Sequence, residues 1–143
     1  MSDSLRFLLY SHDTYGLGHI RRTLCIAWGI AEAFPRASLL CVTGSPRAQS
    51  FRFPPRSDYL KLPAVTKDSA GRYVPRKVGI SFRSLLKLRE RAIDGAMRSY
   101  EPDVFLVDHA ALGMGGELLG ALERGRAARP RMKVILGLRD IYD

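Results

Sequence analysis

The residues of this chain best suited to proton-transfer chemistry are His12, Asp13 and His19 in one short stretch, and Asp108 and His109 far along the chain. His19 follows Gly16-Leu17-Gly18 and opens a segment of helical period. Its ring therefore stands at a helix N-terminus, where the positive end of the dipole disfavours an imidazolium and favours a neutral ring able to accept a proton. The free amides of that first turn can hold an anion, which makes Gly16 and Gly18 candidate contacts for a phosphate or a sugar oxygen. The better-known phosphate loops do not fit. A dinucleotide fingerprint wants a third glycine where Arg21 stands and an acidic residue ending the second strand, where the chain has Thr43-Gly44. A P-loop needs a Gly-Lys-Ser/Thr run, and none occurs. The plainer alternative is that His19 is a polar helix-entry residue. Together, His12-Asp13 and Asp108-His109 would offer two imidazoles and two carboxylates to a zinc-like ion, which opens the alternative of a metal-dependent hydrolase. Against it, His12-Asp13 lacks a second paired ligand at i, i+4 spacing, and no metal is assigned.

For these side chains to meet, the elements around them must form a particular sheet. Arg6-Phe7-Leu8-Leu9-Tyr10-Ser11 is an apolar run of strand type, stopped by the polar, glycine-containing segment 12–18. From His19 the period changes: Ile20, Leu24, Ala27, Trp28, Ala31 and Phe34 recur at helical spacing, with Arg21, Arg22 and Glu32 off the stripe. A second buried strand covers 38–43. Ser45 and Pro46 suit the cap and first residue of a short helix to about Phe51, and 59–62 is a third strand stopped by Pro63. Residues 64–80, with Gly71, Pro75 and Gly79 and no sustained period, read as a long loop, functional or mobile. Residues 81–100 are a second helix capped by Ser81, its stripe Phe82, Leu85, Leu86, Ile93, Ala96, Met97 and Tyr100 interrupted by Arg89. Val104-Phe105-Leu106-Val107 is a fourth strand ending in Asp108-His109. A helix near 115–128 should turn Leu118, Leu119 and Leu122 inward, and 132–138 is a fifth strand.

Strands alternating with helices, most of them apolar on both faces, specify an α/β fold: an open, doubly wound, mostly parallel sheet of Rossmann-like type, covered on both sides. The common strand order of such sheets sets strands one and four side by side. The loop 12–19 then lies beside Asp108-His109, over the crevice where such sheets bind ligands.

At 143 residues and 46% hydrophobic content the chain is one domain with a real core. Cys25 in the first helix and Cys41 in the second strand are expected as isolated buried thiols of a reducing compartment. No secretory signal precedes the first strand and no apolar run reaches membrane-spanning length, so a cytoplasmic location is expected. The net charge is +9 and the pI about 10.1. Arginines are spread throughout, yet Arg72, Arg76, Lys77, Arg83, Lys87, Arg89 and Arg91 share one window with Tyr73, Val74, Ile80 and Phe82, a mixture suited to an anionic membrane surface. Nucleic acid is disfavoured as a partner, because no helix-turn-helix, RNP-like or zinc-finger pattern accompanies the charge.

Tyr10-Ser11-His12-Asp13, Gly16-Leu17-Gly18-His19-Ile20-Arg21-Arg22-Thr23-Leu24, Pro102-Asp103-Val104-Phe105-Leu106-Val107-Asp108, Gly115-Gly116-Glu117-Leu118 and Gly137-Leu138-Arg139-Asp140-Ile141 together resemble the amino-terminal half of predicted bacterial glycosyltransferases of the GT-B fold. Distant relatives of those enzymes add N-acetylglucosamine to the lipid-linked peptidoglycan precursor. The resemblance covers nearly the whole chain. It implies that the Gly16 to His19 loop faces the acceptor, that His19 is the general base for the attacking hydroxyl, and that Asp108 steadies it. Gly16, Gly18, His12, Asp13 and His109 become candidate acceptor or phosphate contacts, and Arg72, Arg76, Lys77, Arg83 and Lys87 candidate contacts to a membrane or another anion.

The same resemblance implies that residues 1–143 are an acceptor-binding domain cut short, because GT-B enzymes hold the nucleotide-sugar mainly in a second Rossmann-like domain. No tightly bound cofactor is expected, the nucleotide-sugar being a co-substrate supplied through a donor-binding domain or subunit. The expected partners are a sugar or lipid-linked acceptor, that donor-binding unit and the inner face of the membrane, with self-association of the isolated half. A non-catalytic module completing a partner enzyme is a further alternative.

Overall fold

The computed structural model describes residues 4–14 and 16–138. Among them the chain runs β1 (Arg6–Ser11), α1 (Gly18–Ala33), β2 (Ser38–Thr43), β3 (Ser57–Lys61), β4 (Val65–Lys67), β5 (Tyr73–Pro75), α2 (Phe82–Tyr100), β6 (Val104–Asp108), α3 (Leu119–Ala128) and β7 (Lys133–Gly137). Five strands form one parallel sheet of order β3-β2-β1-β6-β7, the Rossmann-like α/β arrangement that the alternation of elements predicts. The strand ending in Asp108, fourth in the sequence reading, is β6. It pairs with β1 from Phe7↔Val104 to Tyr10↔Val107.

Strand periodicity divides the core in two. Leu8 and Tyr10 of β1 pack with Val42, Phe105 and Val107 against Ile93 and Met97 of α2 and Leu118 and Ala121. Phe7 and Leu9 point the other way, with Leu39, Cys41 and Leu106 against Ala27 of α1. Each fully buried Leu, Phe or Met contributes roughly 1.5–3 kcal/mol, so the central strands are held from both faces. Cover fails at one edge. Val134, Ile135 and Leu136 of β7 are exposed, so the sheet is not enclosed on both sides along its whole width.

Several local expectations need correction. Residues 64–80 are not simply a loop, because β4 and β5 pair as an antiparallel hairpin from Val65↔Pro75 to Lys67↔Tyr73. Asp68 closes it: its Oδ1 accepts from the backbone amides of Ala70 and Arg72, and its Oδ2 from Arg72 Nε, all at 2.9 Å. Three-residue strands are too short to display a period. The helix expected near 115 starts only at Leu119, since Gly115 and Gly116 sit at φ +59° and +77°, outside helical space. Leu119 consequently faces solvent while Leu118 is fully buried.

The short helix expected to reach Phe51 is a single 3-10 turn over Ala48–Ser50, and Ser45 Oγ accepts from Arg47 N ahead of it. In α1 the buried set is Ile20, Thr23, Leu24 and Ala27, whereas Trp28 and Phe34 are exposed. Arg52 covers the Trp28 ring, its guanidinium 5.6 Å from the centroid, and Trp28 Nε1 donates to Arg52 O. Ser81 caps α2 as expected, accepting from Ser84 N at 3.1 Å. Arg139, Asp140 and Ile141 of the last quoted motif lie outside the described residues.

The two thiols also differ from expectation. Cys41 is buried, and burial pushes its pKa up to about 12, but Cys25 lies exposed on α1. A thiol reagent at neutral pH should therefore label Cys25 in the folded protein and reach Cys41 only on unfolding. Mass spectrometry of labelled peptides checks this, and rapid labelling of Cys41 in the native protein would contradict it.

Candidate functional site

All five strands of the main sheet run the same way, so their carboxyl ends meet at one edge, and the candidate residues collect there. The loop leaving β1 is fixed by Asp13, which is buried and left-handed at φ +48°. Its Oδ2 accepts from Thr43 Oγ1 at 2.6 Å and from Ser11 Oγ, which ties the loop to the end of β2. A Cβ on Gly44 would come within 2.2 Å of the His12 carbonyl oxygen, so glycine alone lets the loop cross at that height. Thus anchored, the chain turns through Gly16, at φ +70°, into α1. Leu17 is the N-cap and gives no side-chain bond to the first turn, and a Cβ on Gly16 or Gly18 would meet nothing within 4 Å.

From that turn His19 reaches β6. Its Nδ1 lies 2.5 Å from Asp108 Oδ2, joining residues 89 apart in the sequence. Arg22, one turn further along α1, brings Nε to 2.7 Å and Nη2 to 2.6 Å of the other carboxylate oxygen, Oδ1. Both oxygens of Asp108 are thereby engaged, and its side chain is only 2% exposed. Burial opposes ionisation of Asp108, but hydrogen bonds from His19 and Arg22 and the charge of the Arg22 guanidinium hold its carboxyl below the usual range. With the Nδ1 hydrogen given to Asp108, His19 Nε2 keeps no partner among the described residues, and the ring is partly open to solvent.

His12 and His109 flank this pair. The His12 ring is tilted against His19 with centroids 4.7 Å apart, and burial pushes its pKa down, a protonated His19 adding to the effect. The His109 ring centroid stands 6.2 Å from that of His19; the residue is left-handed at φ +61° with its amide donating to Gly137 O, and its Nδ1 is buried without a hydrogen-bond partner among the described residues. Asp13 keeps one oxygen, Oδ1, likewise buried and unpartnered. Among the described residues no three His, Cys, Asp or Glu side chains converge as a metal-holding group.

Of the basic window, Arg72, Arg76, Lys77, Arg83 and Lys87 are exposed on the hairpin, its link to α2 and the outer face of α2. Arg72 is paired with Asp68 at 2.9 Å. Arg89 does not belong to that surface. It is fully buried, forks onto both oxygens of Glu117 at 2.8 Å and donates Nη1 to Pro63 O at 2.7 Å. Tyr10 OH donates to Glu117 Oε1 and accepts from Met114 N. Sequence reasoning missed this group and Arg22. Signals existed: Arg22 is three residues from His19 on one helix, and Arg89 breaks an apolar stripe midway between Leu85 and Ile93.

The acid limb of stability should report the Asp108 cluster. A carboxyl whose folded pKa lies below its unfolded value of about 3.9 contributes in full above that value, and its contribution is lost as pH falls through the folded pKa. Asp108→Asn should therefore cost stability at neutral pH and show a shallower loss between about pH 5 and pH 2 in urea unfolding. An unchanged acid slope would contradict the pairing. No family model matches the chain, and neither does any curated protein.

Proposed function

We propose that this chain is the acceptor-binding half of a glycosyltransferase that moves a sugar from a nucleotide-sugar to an acceptor hydroxyl, the donor being held by a second unit, whether in the same polypeptide or another. The observation that carries the reading is the His19 Nδ1 to Asp108 Oδ2 contact at 2.5 Å, which leaves Nε2 as the available base at the carboxyl edge of the sheet. A sugar hydroxyl is a poor nucleophile, and a neutral imidazole within hydrogen-bond reach can take its proton as the oxygen bonds to the anomeric carbon. The bond from that carbon to the leaving diphosphate breaks, and the diphosphate keeps the electron pair. Asp108 fixes the tautomer and steadies the imidazolium, while the Gly16 to Gly18 turn offers amides to an acceptor oxygen.

A lipid-linked acceptor would be met at a membrane surface. Val78, Ile80 and Leu88 are exposed among Arg76, Lys77, Arg83 and Lys87, which supports docking on an anionic bilayer by apolar contact and charge together. No helix among the described residues is long and apolar enough to cross a membrane. The acceptor reading is tested by titrating the labelled chain with N-acetylglucosamine 1-phosphate and following backbone amides by NMR. Saturable shifts centred on Gly16, Gly18, His12 and His19 are expected. Absence of binding, or shifts confined to the far edge of the sheet, would overturn it.

A further inference from the structure

Three imidazoles meet at the carboxyl edge of the sheet, and their Nδ1 atoms fare differently. His19 Nδ1 has Asp108 Oδ2 at 2.5 Å, and His12 Nδ1 has Thr14 Oγ1 at 3.3 Å. His109 Nδ1 is buried and has no partner among the described residues. Its Nε2 is neither buried in that way nor bonded to a described residue, which makes it the open nitrogen of the ring.

The ring is delivered by an uncommon backbone. His109 sits at φ +61°, in the left-handed region that is costly for a residue with a Cβ. Two main-chain bonds pin it there: the His109 amide donates to Gly137 O of β7 at 2.8 Å, and the next amide, Ala110 N, to Asp108 O at 2.7 Å. The turn so fixed sets the His109 ring 6.2 Å from the His19 ring, with 37° between their planes.

The orphaned atom sets the tautomer. A neutral imidazole carries one N–H and one bare nitrogen. A buried N–H with nothing to accept it is rare in folded proteins and forfeits its hydrogen bond outright, so the proton belongs on Nε2, where water or a ligand can receive it. At their open nitrogens the two rings are then opposites: His19 presents a lone pair and His109 an N–H. A molecule that gives a hydroxyl proton to His19 finds a donor for a second oxygen one ring away. Charge favours a neutral oxygen there. Asp108 and Arg22 offset each other across 2.6 Å, so the pair adds no net positive charge to draw a phosphate, for which the Gly16 to Gly18 amides are better placed.

We infer that His109 is a specificity-determining residue that donates from its Nε2–H to a second sugar oxygen of the acceptor while the attacking hydroxyl faces His19. The inference rests on the acceptor reading and narrows it to a polyol, against an alcohol with a single oxygen.

The test has two arms, both on the chain itself. Nitrogen-15 NMR of the imidazoles, assigned through His109→Gln, should find the His109 proton on Nε2; a proton on Nδ1 overturns the inference. Calorimetric titration then compares N-acetylglucosamine 1-phosphate with propyl phosphate, which has the phosphate and no hydroxyl, on wild type, His109→Ala and His109→Gln. The sugar phosphate should bind His109→Ala about five- to tenfold more weakly, the loss for one neutral hydrogen bond. His109→Gln, whose side-chain amide keeps an N–H at similar reach, should recover most of that loss, and propyl phosphate should not distinguish the three proteins. Equal losses for both probes would put His109 on the phosphate, a loss that glutamine does not recover would make its role one of packing, and unchanged sugar affinity in His109→Ala would take it off the ligand. Each of these overturns the inference and leaves the acceptor reading standing. A wild type that does not bind the sugar phosphate ends both.

Discussion

Arg89→Met is expected to lower the stability of the folded chain by about 3–5 kcal/mol, enough to bring the thermal midpoint down by roughly 10–20 °C. The guanidinium and the Glu117 carboxylate are both fully buried, and the replacement strands Glu117 with no water to solvate it. Pro63 O loses its donor as well, and Tyr10 OH is left alone to satisfy the carboxylate. The double variant Arg89→Met/Glu117→Leu removes the stranded charge together with its partner. It should recover much of the loss, since an apolar pair can replace a buried ion pair at little cost. Urea unfolding followed by circular dichroism measures all three. A single-variant loss below about 1 kcal/mol would mean that water reaches the pair and that it does not anchor α2 to the loop before α3.

The second large effect concerns chemistry. In a preparation that includes a donor-binding unit and shows sugar transfer, His19→Ala should reduce kcat by about 10²- to 10⁴-fold, the range for loss of a general base, with a much smaller change in acceptor KM. Asp108→Asn should approach that loss although both Asp108 oxygens are taken up by His19 and Arg22. An amide can offer N–H to Nδ1, which moves the ring proton to Nε2 and blocks the position that must receive the acceptor's proton. Arg22→Gln should lose less, because it frees Asp108 Oδ1 without removing the His19 contact. Near-normal kcat in His19→Ala would remove the base from the account.

What the sequence made legible, and what it did not, follows from how far each signal reaches. Strand-loop-helix from Arg6 to Ala33 is written in period changes within a few residues, and the sheet order follows from topological preference, so the meeting of His19 with Asp108 was foreseeable. Arg22 carries no such signal, because its place off the apolar stripe suits a solvated arginine as well as a carboxylate partner. Arg89 reads as one of the surface charges for the same reason. Its burial depends on Glu117, which arrives 28 residues later on a segment whose glycines hide its position. The β4 and β5 hairpin is not legible because its order comes from the Asp68 turn and from Tyr73 stacking on Phe82, contacts that leave no repeat in three-residue strands. Trp28 and Phe34 fit the stripe of α1 by spacing, yet both are exposed, Trp28 beneath the Arg52 guanidinium and Phe34 at the rim against the Phe7 ring.

The central claim is that Asp108 holds the proton of neutral His19 on Nδ1 and leaves Nε2 bare. Nitrogen-15 NMR of the imidazole, assigned through His19→Gln, reads this directly on the chain itself. The account predicts an Nδ1-protonated ring in the wild type that shifts toward the Nε2-protonated form in Asp108→Asn. A wild-type ring already carrying its proton on Nε2, unmoved by Asp108→Asn, would contradict it.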